Sequence, residues 1–295
     1  MKRLIFIHGR AQEDQDAVQL KQAWLGAWEK GLDKSGLRVP IGEDRVFFPY
    51  YGNTLRDLCE GIPPTQVANI IVRGSREQEG NDRLAALLRE YLRAYNISDA
   101  EIERKLKELD PSNVKERGPQ NWGWVQAALR AIDEKVPGAG AVIGLATNDV
   151  YQYLTKDTVS LRINDGVKSA FDQGDENVVV SHSLGTIVAY KLLEKMSKQQ
   201  GWKVPNLITV GSPLGINSIR EYLGSIEHPS CVGEWFNASD PHDVVALYPL
   251  DDDHFKVDPR IVDKRDVSNW TDNKHGIAGY LDDKDVAKRI YDAVV

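Results

Sequence analysis

The residues with the clearest chemical potential lie in one pentapeptide, Ser-His-Ser-Leu-Gly at 181–185. A nucleophilic serine stands at the tip of a sharp turn, so the residues two before and two after it must be small, as both ends of this pentapeptide are. The three valines at 178–180 predict a buried strand, and apolar residues at helical spacing predict a helix over 186–198. Strand, turn and helix predict a nucleophile elbow, although Ser183 could instead be the N-cap of the helix.

An activated serine needs a basic partner, and that base needs a carboxylate to orient it. Among the six histidines, His275 lies in a loop just before the last predicted helix. Two aspartates, Asp240 and Asp243, follow a predicted strand over 232–238, but both could instead cap turns. His254 follows three consecutive aspartates, a pattern that is more typical of a solvated acidic loop than of a metal site.

The stretch 178–190 resembles the nucleophile elbow of the α/β-hydrolases, in the lipase and esterase part of that superfamily. Val-Gly-Ser-Pro-Leu at 210–214 is similar to a phrase of lipase-like and GPI-inositol-deacylase-like members. The similarity in element order covers most of residues 1–295, whereas 51–121 resembles no family segment.

The order of catalytic residues in that superfamily is serine, acid, histidine. The resemblance therefore implies that Ser183 is the nucleophile and His275 the base. For the acid it implies Asp243, whose surroundings are similar to the family pattern, with Asp240 in reserve. This chemistry requires no metal and no organic cofactor.

The run His8–Gly9–Arg10 ends the first predicted strand, and it could be a strand-ending turn with no further role. In an α/β-hydrolase, however, a loop after an early strand supplies one backbone N–H of the oxyanion hole. The resemblance therefore implies that the N–H of Gly9 or Arg10 holds the oxyanion together with the N–H of Leu184.

Aromatic residues near the predicted site could bind an apolar acyl group, although tryptophans of this kind more often belong to a core. Tyr50 and Tyr51 follow a predicted strand over 45–49, on the side where open α/β sheets bind ligands. The predicted substrate-binding residues are His8, Tyr50, Tyr51, Trp122, Trp124 and Ser212.

Strands alternate with helices along the chain, which predicts an α/β fold with a doubly wound, mostly parallel sheet. We expect one domain over residues 1–295. Within it, residues 54–121 carry a charged helical pattern over 81–109 and predict a helical insertion, either a lid over the site or a surface excursion. The run Pro-Gly-Ala-Gly at 137–140 predicts a loop.

The chain has 295 residues and a formal net charge of −7 without a basic run, which argues against nucleic acid as a partner. Two cysteines suit a reducing compartment, and the sequence predicts a cytoplasmic protein without a transmembrane segment. We expect a serine hydrolase that acts on a small-molecule or lipid carboxylic ester. The alternatives are an amidase, thioesterase or acyltransferase with the same triad, or a catalytically silent binding or regulatory module.

Overall fold

A computed structural model of the chain describes residues 1–9, 16–52, 78–109 and 122–295. Its central feature is a six-stranded sheet in which every neighbouring pair of strands is parallel. The strands are β1 (Lys2–Ile7), β2 (Val46–Phe47), β3 (Glu176–His182), β4 (Val204–Val210), β5 (Val232–Ala238) and β6 (Val262–Lys264). Their order across the sheet is β2-β1-β3-β4-β5-β6, so the direction in which successive strands are added reverses between β1 and β3. In open α/β sheets, ligands bind at the carboxyl ends of the strands at such a point.

The helices connect these strands in chain order. They are α1 (Ala17–Asp33), α2 (Gln78–Ala94), α3 (Asp99–Leu109), α4 (Trp122–Lys135), α5 (Ala139–Thr155), α6 (Asp157–Lys168), α7 (Leu184–Gln200), α8 (Asn217–Leu223), α9 (Ile277–Leu281) and α10 (Lys284–Val294). Within the described residues, none of these helices has both the length and the apolar character needed to cross a membrane.

The two faces of the sheet bury separate apolar clusters. In β3, Val179 packs into one cluster, while Val178 and Val180 pack into the other. All three side chains are fully buried, because successive residues of a strand point to opposite faces. The Val179 face is covered by helices α2 to α8, and the opposite face by α1, α9 and α10. This arrangement confirms the predicted α/β fold with a doubly wound, parallel sheet.

Three local features differ from the sequence-based expectations. The predicted strand over 45–49 is reduced to Val46–Phe47, preceded by a short 3-10 turn. The helical pattern over 81–109 is divided into α2 and α3, with Asn96 in the left-handed region at φ 52° between them. The loop predicted at 137–140 is brief, since Gly138 adopts φ 84° and α5 begins directly after it.

The predicted insertion over 54–121 is described only in its α2 and α3 segments, and its remaining residues lie outside the described ranges. Helix α2 packs against α8, α4 and α5. Leu87, Leu88 and Tyr91 of α2 are buried in the same apolar cluster as β3 and α7. The described part of the insertion therefore packs into the core. The prediction of one domain over 1–295 stays a prediction.

Candidate active site

Ser183 forms a sharp turn between β3 and α7. Its φ of 56° lies in the left-handed region, which is sparsely populated by residues other than glycine and is found at strained functional positions. The Ser183 N–H donates to the Val210 carbonyl at 3.3 Å. Its carbonyl accepts the Thr186 N–H at 2.9 Å and the Thr186 hydroxyl at 2.7 Å. Hydrogen bonds on both sides of the serine therefore hold the turn in this conformation.

Two glycines let the loop after β1 approach this turn. A Cβ on Gly9 would lie 2.6 Å from the Ser183 Cβ and 3.2 Å from its Oγ. A Cβ on Gly185 would lie 2.6 Å from the His8 carbonyl oxygen. Real Cβ atoms do not come this close to other heavy atoms, so a larger residue at either position would force the two segments apart. The elbow therefore requires glycine on both the loop and the helix.

Three side chains from distant parts of the chain meet at the carboxyl end of β3. His275 Nδ1 donates to Asp243 Oδ2 at 2.8 Å, and His275 Nε2 lies 2.9 Å from Ser183 Oγ. Asp243 lies in the loop after β5, and His275 lies two residues before α9. In the tautomer that donates from Nδ1, Nε2 accepts the serine hydroxyl proton. The arrangement is a continuous chain of hydrogen bonds from Ser183 to Asp243.

Asp243 is a fully buried carboxylate with several donors. The Tyr280 hydroxyl donates to its Oδ2 at 2.6 Å, and the Val245 N–H donates to its Oδ1 at 2.9 Å. Burial by itself raises the pKa of Asp243, but the neighbouring His275 and these hydrogen bonds outweigh it, so the net pKa lies below the usual value. Asp243 is therefore ionised at neutral pH and can stabilise a protonated His275.

Asp240, the reserve candidate for the acid, has other partners. Its Oδ1 accepts the His242 N–H at 2.7 Å, and its Oδ2 accepts the Asn269 N–H at 2.7 Å. The Asn269 amide in turn donates to the Gly276 carbonyl at 2.9 Å. Asp240 therefore anchors the segment 269–276, which contains His275, through Asn269. Asp243 is the aspartate that contacts the His275 ring.

His182 and Tyr280 also contact these residues, and neither was predicted to belong to the site. His182 Nε2 donates to the His275 carbonyl at 2.7 Å, and the two imidazole rings lie 4.6 Å apart. Burial, together with the neighbouring His275, lowers the pKa of His182 to about 3, so this ring is neutral. His182 directly precedes Ser183 in the sequence, and this position is a signal that it lies close to the site. Tyr280 has no comparable signal, because its contact with Asp243 depends on the path of α9.

Leu184 and Gly9, two of the residues predicted to form the oxyanion hole, both lie next to Ser183. Leu184 is the first residue of α7, so its N–H has no helical acceptor one turn earlier and carries the positive end of the helix dipole. Gly9 lies against Ser183, as its Cβ distances demonstrate. Arg10 lies outside the described residues.

His8 and Tyr51 hold the Gly9 loop from within the core. His8 Nε2 accepts the Tyr51 N–H at 3.0 Å, and its Nδ1 donates to the Gly9 carbonyl at 2.7 Å. The Tyr51 hydroxyl donates to the His8 carbonyl, and the two rings stack with centroids 3.9 Å apart. Burial lowers the pKa of His8 to about 4, which keeps its ring neutral. His8 and Tyr51 therefore hold the Gly9 loop in place through these hydrogen bonds and the stacked rings.

A narrow cleft opens beside Ser183, with about 350 Å³ not occupied by protein atoms, counting space open to solvent. Its lining comes from α2, α5, the start of α7, the segment 213–219 and the loop after Asp243. Its described lining residues are Leu87, Tyr91, Ala146, Thr147, Asp149, Val150, Ser183, Leu184, Pro213, Ile216, Ile219 and Val245. Most of these side chains are apolar, so the surface next to the serine is mainly apolar.

His8, Tyr50, Tyr51, Trp124 and Ser212 are not among the residues that line this cleft, and their predicted role in substrate binding stays a prediction. Tyr50 is half-buried, with its ring 5.5 Å from His8, and Trp124 packs against the core. The Ser212 Oγ lies 2.8 Å from the Thr186 hydroxyl and accepts the Leu214 N–H. The side chain of Trp122 lies outside the part of the chain that the structure describes. The cleft is lined instead by α2 and α5, whose approach to Ser183 depends on tertiary packing that short sequence patterns do not encode.

Among the described residues, no group of three histidine, cysteine, aspartate or glutamate side chains is arranged to hold a metal ion. The three aspartates before His254 instead form local hydrogen bonds and ion pairs.

No model of a known protein family, no curated protein and no solved structure matches this chain. The α/β fold and the contacts of Ser183, His275 and Asp243 are therefore the observations from which a function can be inferred.

Proposed function

We propose that this protein is a serine hydrolase of the α/β-hydrolase type that cleaves a carboxylic ester through an acyl-enzyme. The observation that carries the proposal is the chain of contacts from Ser183 Oγ to His275 Nε2 at 2.9 Å and from His275 Nδ1 to Asp243 Oδ2 at 2.8 Å. A nucleophile, a base and an orienting carboxylate in this order define the machinery of acyl transfer on unrelated folds.

In the acylation step, Ser183 Oγ attacks the carbonyl carbon of the ester while His275 Nε2 accepts the hydroxyl proton. The imidazolium that forms is stabilised by the ionised Asp243. Collapse of the tetrahedral intermediate breaks the bond to the alcohol, which leaves with the proton from His275. The acyl group is then bonded to Ser183 Oγ.

In the deacylation step, water takes the place of the alcohol. The water oxygen attacks the acyl carbon while His275 accepts a proton from the water. His275 then donates this proton to Ser183 Oγ as the carboxylic acid leaves. The Leu184 N–H and a backbone N–H of the Gly9 loop stabilise the oxyanion in both steps. Donors of this kind typically contribute about 10²–10³-fold in rate each.

The same machinery serves amidases, thioesterases and acyltransferases, so the ester is the part of the proposal that a substrate panel must test. Its support is the apolar lining beside Ser183, which provides few polar side chains to recognise a peptide. A silent binding module would not need to keep the strained Ser183 in contact with an oriented histidine.

A fluorophosphonate probe tests the activated serine directly, because its phosphorus is attacked by such a serine and fluoride leaves. We expect the native protein to be labelled and Ser183→Ala and His275→Ala to be unlabelled. Two matched controls should label like the native protein. Ser160→Ala changes a serine on α6, and His254→Ala removes a histidine that also contacts an aspartate at 2.8 Å.

Labelling should be followed by hydrolysis assays with ester, thioester and amide substrates of the same acyl group. Folding of each variant is checked by circular dichroism. A folded native protein that no probe labels, or labelling that persists in Ser183→Ala, would contradict the proposal.

A further inference from the structure

The loop that carries His275 runs from the end of β6 to the start of α9, and a buried asparagine closes it. Asn269 is 1 % exposed, and its Nδ2 donates to the Gly276 carbonyl at 2.9 Å. Its Oδ1 accepts the Thr271 N–H at 3.0 Å and the Thr271 hydroxyl at 2.6 Å. The Thr271 Oγ1 in turn accepts the Gly276 N–H at 2.9 Å. Asn269 and Thr271 therefore hold both backbone polar groups of Gly276, and we call these two side chains the loop clasp.

The backbone of His275 is also held by side chains. Its N–H donates to Asn273 Oδ1 at 3.1 Å, and its carbonyl accepts from His182 Nε2 at 2.7 Å. Lys274, directly before it, has a φ of 56°, in the left-handed region that is uncommon for residues other than glycine. A residue stays in such a conformation where its surroundings impose it. Contacts with side chains therefore determine the path of the backbone through His275.

Asparagine is the side chain that this arrangement requires at 269. One end of the amide meets a backbone N–H and the other meets a carbonyl, so the side chain must supply an acceptor and a donor together. An ionised aspartate supplies acceptors alone, and glutamine is one methylene longer. The backbone N–H of Asn269 also donates to Asp240 Oδ2 at 2.7 Å, in the loop that carries Asp243. One residue thus joins the loop of the acid to the loop of the base.

We propose that Asn269 and Thr271 are positioning residues for the base, because the loop clasp fixes the His275 ring before substrate binds. This inference rests on the proposed function. The ring must keep Nε2 on the serine oxygen and Nδ1 on the carboxylate, at 2.9 Å and 2.8 Å. A displacement of about 1 Å in such an arrangement costs about 10²-fold in rate. The clasp acts through the backbone of His275 and not through contacts with the substrate.

Asn177 is a matched position at the other end of the sheet. It is fully buried, its Nδ2 donates to the Asp172 carbonyl at 2.8 Å, and its Oδ1 accepts the Asp172 N–H at 3.1 Å. It therefore closes the loop before β3 through the same kinds of amide contact. This loop lies at the amino end of β3, whereas Ser183 follows the carboxyl end. Replacing either asparagine removes comparable hydrogen bonds, but the loop of the base contains Asn269 alone.

Steady-state hydrolysis of nitrophenyl acetate tests the proposal. Asn269→Ala should lower kcat by about 10–100-fold and change KM by less than about twofold, because the base assists both chemical steps while the contacts with substrate stay. Asn177→Ala should leave kcat within about twofold of the native value, although urea unfolding should show a similar loss of stability in both variants. A native kcat in Asn269→Ala, or an equal fall in kcat in Asn177→Ala, would overturn the positioning role.

Thr271 gives a second test that does not require replacing the buried asparagine. Thr271→Val keeps the shape of the side chain and removes the hydroxyl that accepts the Gly276 N–H, so kcat should fall about tenfold. Thr271→Ser keeps the hydroxyl and should retain kcat within about twofold of the native value. A role in packing alone predicts the opposite order, since valine keeps the methyl group that serine lacks. Equal kcat values in the two variants would overturn the loop clasp.

The rate of labelling by a fluorophosphonate separates this proposal from the proposed function. We expect slower labelling of Asn269→Ala and Thr271→Val, and native rates for Asn177→Ala and Thr271→Ser. If Asn269→Ala is labelled at the native rate, the loop clasp is overturned and the serine hydrolase stands. If the folded native protein is not labelled, the proposed function is overturned and the positioning role with it.

Discussion

In the part of the chain that the structure describes, two histidine–aspartate pairs have the same 2.8 Å contact between Nδ1 and a carboxylate oxygen, His275–Asp243 and His254–Asp251. In the first pair the residues are 32 positions apart and the carboxylate is fully buried. In the second they are three positions apart, and the carboxylate is 23 % exposed. The residue types and the contact distance are therefore not what distinguishes a catalytic arrangement.

The difference lies in what else each pair contacts. Asp251 accepts the backbone N–H groups of Asp253 and His254, which makes a local turn, and it also pairs with Arg265. The His254 ring stacks on Tyr248, with centroids 4.8 Å apart. His275 instead presents its free nitrogen to a strained serine. A local pair forms wherever the sequence places two compatible residues, whereas a long-range pair aimed at a serine requires the whole fold.

Substituting the aspartate of each pair tests this difference most strongly. An asparagine at 243 cannot accept from His275 Nδ1 through its NH₂ group, so Asp243→Asn should favour the wrong histidine tautomer and lower kcat by about 10³–10⁴-fold. Asp251→Asn should leave kcat within about twofold, because the ion pair it weakens is exposed. Ester hydrolysis at pH 7.5 provides both values. Similar losses in the two variants would mean that Asp243 is not the orienting acid.

The tyrosine next to each pair gives the second test. Tyr280→Phe removes the hydroxyl that donates to Asp243 Oδ2, so the pKa of Asp243 should rise and kcat/KM should fall about tenfold. Tyr248→Phe keeps the ring that stacks on His254 and should change kcat/KM by less than about twofold. If the two substitutions have equal effects, Tyr280 does not act through Asp243.

Asp240 and His242 form a third pair, at 3.2 Å, in which the histidine side chain is 79 % exposed. Asp240→Asn should lower the free energy of unfolding by about 1–3 kcal/mol. The reason is that an NH₂ group replaces one of the two carboxylate oxygens that accept the backbone N–H groups of His242 and Asn269. The loss in kcat should stay below tenfold, far less than for Asp243→Asn. Urea unfolding and steady-state hydrolysis measure the two effects. A loss in kcat as large as that of Asp243→Asn would assign the acid role to Asp240.

His182 gives a further test, because its ring donates to the backbone carbonyl of His275 in the first pair. Its folded pKa of about 3 lies below the ordinary value of 6.5. Between these values the unfolded chain binds one more proton at this position, so stability falls as the pH falls. His182→Gln should reduce this dependence by about 1.4 kcal/mol per pH unit between pH 5.5 and 4.5. Urea unfolding at both pH values measures the slopes, and parallel slopes would contradict the assignment.

The sequence predicted the parts of the molecule that depend on short-range patterns. Three valines, a small-residue turn and an amphipathic run predicted the segment from β3 to α7, and the structure has a strand and a helix on either side of Ser183. Alternation of strands and helices predicted the doubly wound sheet. The choice of Asp243 over Asp240 depended on a family resemblance, since two aspartates three positions apart offer the same local chemistry.

The remaining features depend on contacts that no short pattern contains. Helix α5 begins inside a Pro-Gly-Ala-Gly run that indicates a loop, and only the packing of this helix brings Val150 next to Ser183. Tyr51 and Trp124, two of the aromatic residues expected to bind substrate, are packed in or against the core, and their predicted role stays a prediction. Burial and substrate binding select the same residue types, so composition alone cannot separate them.

The order of the strands also bears on how the chain is made. Strand β1 lies between β2 and β3, but about 170 residues separate β1 from β3. At a synthesis rate of about 5–20 residues per second, β1 waits roughly 10–35 s for this partner. Among the described residues made during that time, Leu4 to Ile7 have only the two-residue β2 as a strand partner. Unpaired apolar strands promote aggregation. The topology that places Gly9 beside Ser183 thus leaves the first strand without its longer neighbour until β3 has been synthesised.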